Sequence, residues 1–413
     1  MSTPATTPGI TGASRTRRRS FSHSAGFWVI AYAFLTVMAF STVPTPLYSL
    51  YQQRDGFATL MITVIFAAYA VGVMVSLYLA GHVSDWLGRR PVIMIAVLLQ
   101  IVAAVLFLIW PDVAGLIIAR VINGLGVGIL TATATAHLSE LRAAASSDGT
   151  PGSAPTVAGI VNIGGIGLGA LVSGAIAQFV AAPLVVPYVV FLVLLAIAAF
   201  AVAFVPETVV IAEERPAYRP QRVSLPARSR AVFSAAAIAA FGAFAIFGLF
   251  TSLAPAFVSG VLHVTSHLTS GAVVFSVFAA AAAAQVVFAR MDARRQLTLA
   301  VILMAAGLVV LAAGVLSASF ALFVVGGVLA GAGVGILFRG SIGVAARLAP
   351  AEHRGEVLAA LFLVAYAGLA VPVLAIGVAV TFAPMQLVLV VFAAIILVLV
   401  LWSGQRMIAH TAR

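Results

Sequence analysis

Long runs without a charged side chain dominate the pattern. No Asp, Glu, Lys or Arg occurs from 149 to 206, from 231 to 289 or from 357 to 405, stretches of 58, 59 and 49 residues. A helix of about 20 apolar residues crosses the hydrocarbon core of a bilayer, so each run is long enough for two crossings. Turn formers and polar residues mark the breaks inside them: Pro183 and Pro187, the stretch 263–267 with two His, Thr265 and Ser266, and Pro384. Together with the other apolar runs the pattern predicts twelve helices, at 27–51, 57–80, 91–110, 113–139, 157–181, 184–205, 231–258, 267–289, 297–317, 320–346, 357–381 and 384–405. The predicted class is an all-α membrane protein.

Composition agrees with the pattern. Of 413 residues 63% are hydrophobic and 8% charged, against about 25% charged in an ordinary soluble domain. A water-soluble globule is thereby excluded. The absence of Cys removes disulfides, thiolate metal sites and cysteine nucleophiles. All 22 basic residues are Arg, and the net charge is +11. They flank apolar runs, which points to lipid headgroups rather than nucleic acid. If basic residues are retained on the cytoplasmic side, both termini lie inside the cell, with 19 Arg on that side and only Arg54 outside. Arg120 and Arg339 fall within predicted spans. The expected organisation is a disordered cytoplasmic tail at 1–26, a six-helix bundle at 27–205, a Pro- and Arg-rich cytoplasmic linker at 206–230, a second bundle at 231–406 and a short tail at 407–413. A monomer in the plasma membrane is expected, with no cofactor and no metal.

An internal repeat divides the chain. The segment 124–130, GLGVGIL, returns as GAGVGIL at 331–337, an offset of 207 residues. The same offset carries Asp85, after the second predicted helix, onto Asp292, after the eighth. Two matches at one offset indicate duplication of a six-helix unit, hence two pseudo-symmetric bundles.

The loop between the second and third helices reads Gly81-His-Val-Ser-Asp85-Trp-Leu-Gly88-Arg89-Arg90-Pro91. Its charges could serve topology alone, or Asp85 could accept from a helix N-terminus and pair with Arg. The pattern Gly81, Asp85, Gly88, Arg89 and Arg90 resembles the signature loop of the major facilitator superfamily. With twelve helices, a central linker and the duplication, the resemblance covers about residues 27–406 and implies a major-facilitator-like transporter. It also implies that this loop latches the two bundles in the outward-facing state. Arg120, followed by Gly124 and Gly126, resembles the family's fourth-helix motif, whose Arg is associated with proton coupling in antiporters. The run from Gly165 to Gly174 is similar to a degraded antiporter motif, with Ala170 in place of Pro and Ser173 in place of Gly; small residues at this spacing are equally a helix-packing device. Val43-Pro44-Thr45-Pro46 resembles an efflux-branch feature or is a helix end.

The remaining candidates rest on the cost of polar groups in lipid. Arg120 should face a bundle interior or water, or snorkel to the outer headgroups. Arg339 reads either as a binding-site cation or as a helix-end charge. Tyr32, Thr36, Asn123, Thr131, Thr135 and Tyr366 are candidate substrate contacts, although a Thr within a helix often satisfies its own backbone. No Asp or Glu lies within the predicted spans, so His137 and Glu140 are the nearest candidates for a proton carrier; a packing role is the alternative for His137. No zinc-protease motif, no phosphate-binding loop and no Lys is present, which argues against an enzyme and against direct drive by ATP. Scarce intramembrane acids suit an apolar or amphiphilic cargo better than a cation. The expected function is secondary transport of a small molecule by alternating access, as proton-coupled efflux of amphiphilic compounds. The alternatives are uptake of a polar or anionic metabolite, and a membrane-embedded enzyme or sensor.

Overall fold

The computed structural model describes residues 21–80, 83–147, 149–150, 152–209, 229–349 and 354–411. Gly81, most of the expected linker and the first 20 residues of the expected tail lie outside them. Helices account for nearly all the described chain: α1 (His23–Phe40), α2 (Tyr48–Asp55), α3 (Thr59–Ala80), α4 (Ser84–Leu87), α5 (Arg89–Ile109), α6 (Val113–Ala145), α7 (Ala154–Gly159), α8 (Gly165–Phe179), α9 (Val186–Val202), α10 (Arg230–Ser252), α11 (Ala254–Gly260), α12 (His267–Val287), α13 (Ala293–Leu316), α14 (Phe320–Leu348), α15 (Arg354–Ala379) and α16 (Met385–Thr411). Among the described residues eleven segments are long and apolar enough to cross a membrane, and Val186–Val202 is a shorter twelfth. They occupy the twelve predicted positions.

Polar side chains set where several helices begin. Ser22, Asp112, Ser266, Asp292 and Ser319 each accept the backbone N–H three residues on, satisfying a donor that the first helical turn would otherwise strand. The predicted first helix, 27–51, is not continuous. Pro44 and Pro46 lack the N–H that an α-helix needs, and the chain passes through turns and a short 3-10 segment, Thr45–Leu47, before α2 begins. Elsewhere helices overrun their predicted ends: α6 reaches Ala145, which places Glu140 on the helix.

The repeated glycines explain the internal symmetry. On α6, a side chain at Gly124 would meet the Tyr69 carbonyl of α3, and one at Gly126 would meet Gln100 and the Ala96 carbonyl of α5. On α14, Gly331 stands in the same way against the Val277 carbonyl of α12, and Gly333 against Met304 and the Ala300 carbonyl of α13. Alternate faces of one glycine run thus let two helix backbones approach closely, once in each bundle. The bundles meet along two seams, α8 against α12 and α3 against α15.

Candidate functional site

Where the seams converge lies a cavity between the bundles. Both bundles line it, and eight of its seventeen lining residues are aromatic: Phe66, Tyr69, Phe244, Phe247, Phe278, Phe338, Phe362 and Tyr366. The rings brace one another. Phe247 stacks on Phe278 at 4.2 Å between centroids, and Phe244 meets Phe338 and Tyr366 edge-on at 4.8 and 5.2 Å. Among the described residues no Asp or Glu lines the space; its one formal charge is Arg120.

Arg120 is 1% exposed, and the break after α1 makes its site. In a continuous helix the Thr45 N–H would bond the Ser41 carbonyl. Here it bonds the Thr42 carbonyl at 3.0 Å, so the Ser41 oxygen is free to accept from Arg120 Nη1 at 2.6 Å. The same break frees the Val43 carbonyl, which accepts from Ser173 Oγ of α8 at 2.7 Å. The guanidinium also lies over the Tyr69 and Phe66 rings, at 4.8 and 5.6 Å, a contact contributing about 2 kcal/mol where water is excluded. Its Nε and the buried Tyr48 hydroxyl have no hydrogen-bond partner.

The other expected substrate contacts divide. Thr131 and Tyr366 line the cavity. Thr131 donates to the Val127 carbonyl at 2.8 Å. Thr135, one turn further along, is exposed and donates to Thr131 O at 2.8 Å. Tyr32 points away, its hydroxyl donating to Leu194 O of α9 at 3.0 Å. Thr36 is buried outside the lining. Asn123 is taken up by packing: its side-chain amide donates to Gln100 Oε1 at 2.6 Å, and its backbone carbonyl accepts from Gln100 Nε2 at 3.0 Å. Arg339 stands two thirds of the way along α14, exposed and outside the lining, with Nη1 donating to the Gln285 carbonyl of α12 at 2.7 Å.

Sequence reasoning missed Asn162. It belongs to a single π-helical turn, Ile160–Gly164, between α7 and α8. One extra residue in a turn shifts the helix face, a device common at functional sites. Asn162 lines the cavity one helical turn from Ile166, whose carbonyl accepts from Thr42. The sequence signal was there: it is the lone side-chain amide between Gly149 and Ala177.

At the Arg-rich face a second set of groups converges. Arg89 donates to Asp85 at 2.6 Å, to Ser84 Oγ at 2.7 Å and to Glu140 at 3.0 Å. Glu140 also accepts from the Thr208 hydroxyl. Glu207, unremarked in the sequence, accepts the backbone N–H groups of Arg89 at 2.9 Å and Arg90 at 3.0 Å. Partial burial pushes its carboxyl pKa up, but backbone N–H groups of Val209, Arg89, Arg90 and Thr208 outweigh that and hold it below the usual value of 4.5. Gly88, at φ +95°, adopts a conformation that glycine tolerates best, and a Cβ there would sit 2.6 Å from Glu207 Oε2. His137 is fully buried beside this cluster, with Nε2 3.2 Å from the Pro206 carbonyl. The cavity and the cluster are thus two separate sites linked by α6, which carries Arg120, Thr131, His137 and Glu140.

The opposite face, which bears Arg54, is tied across the seam. Thr45 Oγ1 donates to Thr251 O of α10 at 2.9 Å, and Gln178 Oε1 accepts the His267 N–H of α12 at 2.9 Å.

Comparison with known proteins agrees on the family. A family model described as Major Facilitator Superfamily matches residues 29–311. The Arabinose-proton symporter of Bacillus subtilis (strain 168) is 30% identical over 121 residues, 29% of this chain and 25% of that one. Monosaccharide-sensing protein 2 of Arabidopsis thaliana is 36% identical over 61 residues, 15% of this chain and 8% of that one. The chain therefore spans a quarter or less of these curated relatives' length. The crystal structure of the human organic anion transporter MFSD10 (TETRAN) superposes with a TM-score of 0.66 at 17% identity, covering 93% of this chain and 99% of that one; at that identity the likeness is one of fold.

Proposed function

Since the chain belongs to the Major Facilitator Superfamily, and is thereby a secondary transporter of a small molecule and not an enzyme, we propose that it exports amphiphilic compounds by alternating access in exchange for protons. The observation that carries this reading is the cavity between the bundles: eight aromatic residues, one guanidinium and, among the described residues, no carboxylate. Such a lining favours apolar or ring-bearing cargo, and the buried Arg120 guanidinium repels a cation that the aromatic faces alone would attract. The ties at the Arg54 face correspond to a state closed on that side. With that face outside, both termini are cytoplasmic and the protein lies in the plasma membrane. The two bundles, 27–205 and 231–406, rock about the cavity. The loop from Gly81 through Asp85, Gly88, Arg89 and Arg90 latches the opposite state. Arg120, His137 and Glu140, all on α6, serve coupling.

Accumulation of a fluorescent amphiphile in cells expressing the protein tests the reading. Export driven by the proton gradient leaves accumulation low until an uncoupler is added, when it rises. Uptake is the second reading, favoured by the name of the arabinose-proton symporter, and it gives the reverse response. Accumulation indifferent to both expression and uncoupler would remove both readings.

A further inference from the structure

The charge of the cavity is lopsided. Of its hydroxyls, those of Ser41, Thr42, Thr131 and Thr251 already donate to backbone carbonyls and keep only acceptor capacity, while the phenols of Tyr69 and Tyr366 can still donate. The strongest donor left is the Arg120 guanidinium, whose one hydrogen bond to the protein uses Nη1. A buried guanidinium has five N–H donors and no means of shedding its charge. Neutralisation by a carboxylate of the protein is absent among the described residues. Asn162 adds a side-chain amide that makes no hydrogen bond among the described residues and lines the same space at the π turn. Around these groups the walls are rings. An aromatic-walled space whose one formal charge is an unneutralised cation matches one kind of molecule.

We propose that the cavity takes an amphiphilic organic anion, its carboxylate neutralised by Arg120, its apolar or aromatic body among Phe244, Phe247, Phe278 and Phe338, and a polar substituent on Asn162. This rests on the transporter reading and names the cargo class. A sugar is a poorer match, since a neutral molecule leaves the charge of Arg120 uncancelled. An ammonium would face an uncompensated guanidinium. An anion cancels the one buried charge, and the desolvation that makes the unpaired cation costly then makes the pair strong.

Three molecules of one shape test it on the full-length purified protein: naphthoate, naphthamide and naphthylmethylammonium, with binding read by ligand-induced thermal stabilisation and competition near neutral pH. Naphthoate is expected to bind roughly tenfold or more tightly than naphthamide, and the ammonium weakest. In Arg120→Gln the preference for naphthoate over naphthamide is expected to fall to about one, and in Asn162→Ala a hydroxynaphthoate is expected to lose its advantage over naphthoate. Should Arg120→Gln fail to fold, the wild-type series decides alone. Equal affinity for acid and amide, or a preference for the ammonium, overturns the proposal. Vesicle flux separates the two layers. A clear naphthoate preference without flux of any probe would retain the site and refute transport of this class. Flux of neutral and anionic probes at equal affinity would retain transport and refute the anion site.

Discussion

Glu207 and Arg89 are joined by a hydrogen bond from the Arg89 N–H to the Glu207 carboxylate at 2.9 Å, so a residue beyond α9 caps the first turn of α5. The arrangement ties the end of the first bundle to the signature loop. It also makes the cap titratable. Because the folded carboxyl has its pKa below the usual 4.5, its contribution is fully present above that value and is lost as pH falls through the lower folded one. Glu207→Gln should therefore cost about 1 to 2 kcal/mol near neutral pH. The deficit relative to wild type should shrink at acid pH. Thermal unfolding in detergent across the acid range measures both, and a deficit independent of pH would remove the charge from the explanation.

Thr45 and Thr251 hold the seam closed near the Arg54 face. Thr45→Val keeps the shape and removes the donor, so the closed state should lose about 1 kcal/mol, roughly a fivefold change in population. The chain has no Cys, so spin labels placed at introduced cysteines at 55 and 263 report this distance without background. The variant should populate a longer distance that wild type lacks.

Glycines of the repeat should behave alike in the two bundles. Gly124→Ala and Gly331→Ala each direct a methyl group at a backbone carbonyl of a neighbouring helix and should each destabilise by roughly 1 to 3 kcal/mol. Gly343→Ala meets only the end of the Arg347 side chain, at 3.6 Å, and should be neutral or stabilising by up to about 1 kcal/mol. Melting temperatures of the three variants rank them. A tolerated Gly124→Ala would show that α3 and α6 pack more loosely than the structure has them.

Asn123 pairs with Gln100 between α5 and α6, away from the cavity lining. Replacing Asn123 by Ala leaves the buried Gln100 Oε1 without its donor and should cost about 1 to 3 kcal/mol of stability while leaving ligand preferences unchanged. A changed preference at unchanged stability would return Asn123 to the binding site.

Much of the architecture was readable because lipid imposes a simple rule: the chain must hide its backbone in helices, and charges mark their ends. Twelve positions and the repeat followed from that rule. Arg120 stood out because an Arg inside an apolar run demands an explanation. What stayed hidden depends on register and on distant partners. The break at 41–47 contains no charge, and its two prolines fitted a helix end equally well. Asn162 needed the π turn to aim it. Glu207 resembled any other acid of the linker until the fold brought it to the N-terminus of α5. Arg339 and Asn123 read as binding residues by residue type, whereas the one bonds a neighbouring helix carbonyl and the other a packing partner.

The peptide at Ser41 joins two events. Its carbonyl holds the buried guanidinium, and four residues on, in the same break between α1 and α2, Thr45 fastens one bundle to the other. If the cavity takes an anion as proposed, a guest bound to Arg120 would compete with the Ser41 carbonyl four residues from the contact between the bundles. Cargo and seam would then meet in one short break of the backbone.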